Sequence, residues 1–131
     1  MADRPTHRAL GLAWLYLCCQ LAAHGVEEAM GGFVDVWNPV LASVRATTGL
    51  PLPQFQFNVW LECLVVVVLV LFGLTPFAFR NPASMTTASV VFGAIMILNG
   101  VNHLASPLYL GRFLPGQFTS PLLIYALPRK K

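Results

Sequence analysis

Charge is what this chain has least of. Only 10% of its 131 residues are Asp, Glu, Lys or Arg, against roughly 25% in a soluble globular domain. The acids number five: Asp3, Glu27, Glu28, Asp35 and Glu62. So thin a polar shell, with 56% hydrophobic residues and a mean hydropathy of +0.68, excludes an ordinary water-soluble fold. Cysteine is also scarce. Cys18, Cys19 and Cys63 all lie in apolar runs without CxxC spacing, which excludes a disulfide framework and a thiolate zinc ribbon. There is no glycine-rich phosphate loop, no nucleophile elbow and no lipidation signal. Ser120 and Thr119 have no base near them in sequence, so a serine-type hydrolase is not expected. The pI near 9.0 does not signal nucleic acid, because the basic residues form no patch with interleaved aromatics.

What is present is long apolar runs. The first spans 9–33, about 25 residues, enough to cross a bilayer core of about 30 Å. Arg4 and Arg8 before Leu21-Ala22-Ala23 have the outline of a cleaved signal, but the apolar run continues past Ala23 and reads as a span. A second run covers 57–79 and includes the unbroken Leu64–Phe72. A third covers 83–110, with a break expected near Ser106-Pro107. A short fourth covers 113–127, interrupted by Pro115 and Pro121. Between the first two, Asn38-Pro39 and Pro51-Leu52-Pro53 are expected to break the chain, with a short interfacial helix at 40–48 carrying Arg45. Arg80-Asn81-Pro82 reads as a tight turn.

The expected fold is all-α: a polytopic membrane helix bundle, one transmembrane domain over 1–131, with about four membrane segments. If all four cross, Arg4, Arg8, Arg80, Arg129, Lys130 and Lys131 share one side, leaving only Arg45 and Arg112 on the other. The positive-inside rule then places both termini in the cytoplasm. The expected location is the plasma (inner) membrane, as a multi-pass protein in contact with the lipid bilayer.

Polar residues inside these runs carry the functional signal. An ionisable group at the centre of a lipid-spanning helix costs about 2.5–3.5 kcal/mol or more. The first run nevertheless holds His24-Gly25-Val26-Glu27-Glu28. Positions i, i+3 and i+4 share a helix face, so His24, Glu27 and Glu28 can point together into an interior, with Gln20 one turn earlier. The second run carries Asn58 and Glu62, and the third Asn99, Asn102 and His103. Consecutive spans are antiparallel, and at 1.5 Å per residue all three groups fall roughly 7–14 Å below one membrane face. Candidate catalytic residues are therefore His24, Glu27, Glu28, Glu62 and His103. Gln20, Asn58, Asn99 and Asn102 are candidate substrate contacts, or hydrogen-bonding links between helices.

His24-Gly25-Val26-Glu27-Glu28, followed by Asn99-Gly100-Val101-Asn102-His103 and Pro115-Gly116, resembles the HXXEE family of small integral membrane proteins. The resemblance covers about 12–124. It implies a membrane enzyme of unassigned reaction, with His24, Glu27, Glu28 and His103 as functional positions.

Three chemistries are open to these residues. The first is acid–base catalysis on a lipophilic substrate, an isomerisation, cyclisation or hydration using a pair such as Glu28 and Glu62, with His24 and His103 tuning it. The aromatics Trp14, Phe33, Trp37 and Trp60 would line its pocket. The second is a divalent metal (Zn, Fe or Mn) held by His24, Glu28, Glu62 and His103 with open positions. The third, from another class, is a small proton-coupled carrier or a structural membrane subunit, for which a homo-oligomer is expected.

Overall fold

The structure, a computed structural model, describes residues 6–80 and 82–124. Helix α1 runs His7–Gly31, its start capped by Thr6, whose side-chain oxygen accepts the Ala9 N–H at 3.2 Å. It ends at Gly32, where φ is +72° and the N–H returns to the Glu28 carbonyl. Only glycine takes that left-handed turn without a steric penalty. The chain re-enters a helix at once, as α2, Phe33–Thr48.

α2 is longer than the helix expected at 40–48. Pro39 lies within it. A proline removes one hydrogen bond, here to the carbonyl four residues back, and that carbonyl belongs to exposed Asp35 in the first turn. Asn38 is a clamp rather than a breaker. Its Nδ2 donates to the Phe55 carbonyl at 2.7 Å and its Oδ1 accepts the Phe55 N–H at 2.9 Å. The non-helical link 49–56 is thereby tied back to α2.

α3 runs Phe57–Gly73 and α4 Thr75–Arg80, with a one-residue break at Leu74. Near the break, the Trp14 indole N–H donates to the Leu71 carbonyl at 2.9 Å. α5, Pro82–Leu110, continues through Pro107 instead of breaking there. The reason is local. Pro107 cannot donate to the His103 carbonyl, and the Ser106 hydroxyl does so instead, at 2.7 Å. The same Ser106 oxygen accepts the Leu114 N–H at 3.0 Å, which fixes the chain as it turns back. α6 is a single short helix, Ser120–Ile124.

α1 is the axis of the bundle, in contact with every other helix, and α6 packs chiefly on α5. One core cluster joins α1, α4 and α5 through Leu10, Trp14, Cys18, Ala78 and Met85. A second joins α1, α5 and α6 through Leu17, Met96 and Leu123. α3 differs. None of its residues is buried, and Val65, Val66, Leu69 and Val70 are about half exposed or more. A soluble monomer rarely exposes so continuous an apolar surface.

Among the described residues, three stretches are long and apolar enough to cross a membrane: His7–Gly31, Phe57–Arg80 and Ala83–Leu110. They coincide with the first three expected spans. Of the expected fourth, the described part turns in beside α1 and α5. Pro115 packs on Gly31, Thr119 meets Glu27, and Leu122 meets Tyr16. Residues 125–127 of that segment, with Arg4, Asn81, Arg129, Lys130 and Lys131, lie outside the described residues.

Candidate metal site between two helices

His24 and Glu28 stand four apart on α1 and so share a face. His103 arrives from α5. All three are buried, at 1%, 7% and 0% exposure. Glu28 Oε1 lies 3.3 Å from His24 Nε2 and 3.0 Å from His103 Nε2. The two Nε2 atoms are 3.3 Å apart, with the rings near perpendicular at 87°. Three potential ligand atoms thus form an almost equilateral triangle inside the bundle.

Around the triangle, each ring is set by its neighbours. Asn99, one turn from His103 on α5, places Nδ2 3.0 Å from His24 Nε2. With that amide donating, His24 Nε2 is an acceptor and the ring proton sits on Nδ1. Nδ1–H then donates to Thr119 Oγ1 at 2.6 Å, and the Thr119 hydroxyl donates to the Gly116 carbonyl at 3.1 Å. In this arrangement no donor faces a donor, while His24 Nε2 and Glu28 Oε1, 3.3 Å apart, are two acceptors facing each other, a pair that needs a proton or a cation between them. The His103 ring lies against Phe33, tilted by 30° with centroids 5.7 Å apart, and Phe33 continues into Trp37 and Trp60. The Nδ1 of His103 is buried with no hydrogen-bond partner among the described residues.

A loop closes the site. Gly116 has φ +100°, and a Cβ there would stand 2.6 Å from His24 Cε1 and 3.0 Å from both His103 Cε1 and Glu28 Cγ. Only the bare backbone fits so close to the three side chains, and only glycine takes that φ readily. Glu27 holds the loop in place. Its Oε1 accepts the Phe118 N–H and its Oε2 the Thr119 N–H, both at 2.9 Å. Between α1 and this loop lies a mainly apolar groove of about 750 Å³, lined by Ala23, Val26, Met30, Phe113 and Phe118, with Glu27 and Thr119 on its wall.

The family described as proteins of unknown function with an HXXEE motif matches residues 14–128. The chain belongs to that family. Comparison with curated proteins and with solved structures gives no match. The geometry divides the three named letters of the HXXEE motif between two tasks. His24 and the second acid, Glu28, face the triangle, whereas the first acid, Glu27, binds the main chain of the covering loop.

Other residues singled out by sequence take different places. Asn99 joins the site. Asn102 instead accepts the Tyr109 hydroxyl at 2.7 Å. Gln20 is half-buried one turn along α1, and its Oε1 has no partner among the described residues. Glu62 and Asn58 stand exposed on α3, outside the cluster. The cause is azimuth. α3 meets α1 through Leu64 against Gly25 and meets α2 through Trp60 against Phe33, and at about 100° per residue Glu62 lies on the side of the helix opposite these two contacts. Trp14 belongs to the core, not to the site.

Thr119 is a partner that sequence reasoning passed over. No base lies near it along the chain, yet folding brings His24 to 2.6 Å. Its hydroxyl lies within hydrogen-bond reach of the Gly116 carbonyl and of Glu27 as well as of His24, so the contact orients the ring. The Ser106-Pro107 pair carried a readable signal: a serine just before a helical proline can serve the carbonyl the proline leaves free.

Proposed function

We propose that this chain is a metal-dependent integral membrane enzyme, with His24, Glu28 and His103 holding a divalent zinc, iron or manganese ion. One observation carries the reading. In a tetrahedral site with metal–ligand bonds of about 2.0–2.1 Å, neighbouring ligand atoms stand about 3.3 Å apart. The three atoms here stand 3.3, 3.3 and 3.0 Å apart, and all three residues are buried. Two histidines and one carboxylate form a donor set of catalytic rather than structural sites, since it leaves a coordination position open. Thr119 supports the reading as the group that orients a ligand histidine through its other nitrogen. A metal held there supplies Lewis acidity or an activated water. Asn99, beside His24 Nε2, is placed to orient what binds the open position. The apolar groove beside the loop suits a lipophilic substrate.

Metal-free acid–base chemistry is the second reading. It is favoured by Glu28 lying within hydrogen-bond reach of both imidazoles, an arrangement that passes a proton between them. With Glu62 outside the cluster, it lacks the second carboxylate that a Glu28–Glu62 pair would supply.

Four membrane segments with both termini cytoplasmic complete the proposal. Pro115 packs on Gly31 and the Leu122 carbonyl accepts the Tyr16 hydroxyl, so the last described stretch starts back along α1 from its C-terminal end, and this direction supports a fourth crossing.

The test is elemental analysis of the detergent-purified protein beside Glu28→Gln and His103→Ala. Near-stoichiometric Zn, Fe or Mn, absent from both variants, is the expected outcome. A folded protein that takes up none of the three after reconstitution leaves acid–base chemistry in its place.

A further inference from the structure

The outer face of α3 presents a different problem. Glu62 and Asn58 stand one turn apart on the exposed side of the helix, and the exposed stripe continues along it through Val66 and Leu69. Their depth follows from their neighbours. Trp60 packs at the level of Phe33 and Leu64 at the level of Gly25, so Glu62 lies between, close to the level of buried Glu28. A carboxyl group facing hydrocarbon at that depth is costly unless something hydrogen-bonds it. The other acids and histidines at this level, His24, Glu27, Glu28 and His103, are all engaged within the chain.

We propose that this face of α3 binds the same face of a second copy, so that Asn58 and Glu62 pair across a two-fold axis. The chemistry selects that occupant. A residue beside a two-fold axis meets its own counterpart, so it must both donate and accept. An amide does so, and the Asn58 amide of one copy, one turn away, can donate to the Glu62 carboxyl oxygen of the other. A basic partner helix would answer Glu62 and the Asn58 carbonyl but leave the Asn58 amide N–H groups without an acceptor, whereas a copy brings both donors and acceptors. Below them Val66 and Leu69 supply the apolar seam at i+4 and i+7 spacing. Asn58, Glu62 and Val66 are turned away from the Trp60 and Leu64 contacts, and Leu69 borders the cleft between α3 and α1; none of the four touches the histidine site, so pairing leaves that site undisturbed.

The experiment uses the full chain in lipid nanodiscs and detergent, with Cys19→Ser and Cys63→Ser as background. Val66→Cys is oxidised with copper phenanthroline, beside Ile95→Cys, an equally exposed control on α5. A covalent dimer from Val66→Cys and none from Ile95→Cys is expected. Light scattering then compares Glu62→Val, which weakens dimerisation by about tenfold, with Glu62→Gln, which retains a donor and an acceptor and keeps most of it. A monomeric parent protein, equal cross-linking at both positions, or an unchanged dimer in Glu62→Val overturns the proposal. So does a heteromeric complex that requires Glu62. Bound metal enters none of these readouts, so loss of the metal reading and loss of this one are separable.

Discussion

α1 and α3 carry acidic residues at the same depth and use them in opposite ways. On α1, Glu28 is 7% exposed and sits between two imidazoles, while Glu27 grips two backbone N–H groups. On α3, Glu62 points away from the bundle and no residue of the helix is buried. The difference does not come from hydropathy or spacing, since both helices pair polar residues a turn apart. It comes from which side meets a neighbour. α1 is surrounded and α3 is packed along one edge, so a polar residue on α1 is drawn into a site and one on α3 is offered outward.

The largest break in that comparison is removal of an inner ligand. His103→Ala or Glu28→Gln is expected to reduce bound metal to less than about a tenth of the parent value by elemental analysis, because a three-ligand site has none to spare. Thr119→Val should come next. It keeps the shape and removes the acceptor for His24 Nδ1–H, for an expected loss of about 10–100-fold in metal affinity measured by chelator competition. Gly116→Ala adds a methyl group 2.6 Å from His24 Cε1 at φ +100°. It should cost about 1–3 kcal/mol, seen as a lower Tm in detergent. Ser106→Ala leaves the His103 carbonyl and the Leu114 N–H without their shared partner. A loss of about 1–3 kcal/mol is expected, by the same thermal scan. The smallest effect sharpens the contrast: Glu62→Val should leave metal content within error of the parent. A metal loss there would mean that the two faces are not independent.

Much of the site was legible because depth is legible. Counting residues from the ends of apolar runs placed His24, Glu28 and His103 at one level, and they meet. The same count placed Glu62 at that level, and it does not join them, because the count carries no information on rotation about the helix axis. That rotation was set by Leu64 against Gly25, a small residue accepting a large one, a contact invisible until the helices are side by side. The helix through Pro107 was hidden for a similar reason: a single hydroxyl on Ser106 decides between a break and a continuous rod. Thr119 was hidden by distance along the chain, 95 residues from its histidine.

Glu27 has one more consequence. It takes two peptide N–H groups, one oxygen for each, with the Thr119 side chain as a further partner. Glutamine offers a single acceptor oxygen and aspartate a shorter reach, so neither completes both bonds from the same backbone. Position 118, whose side chain is 90% exposed, contributes to that clamp only an N–H that every residue but proline has. The clamp therefore restricts residues unequally: it holds the acid at 27 to one identity while asking of position 118 only a backbone N–H.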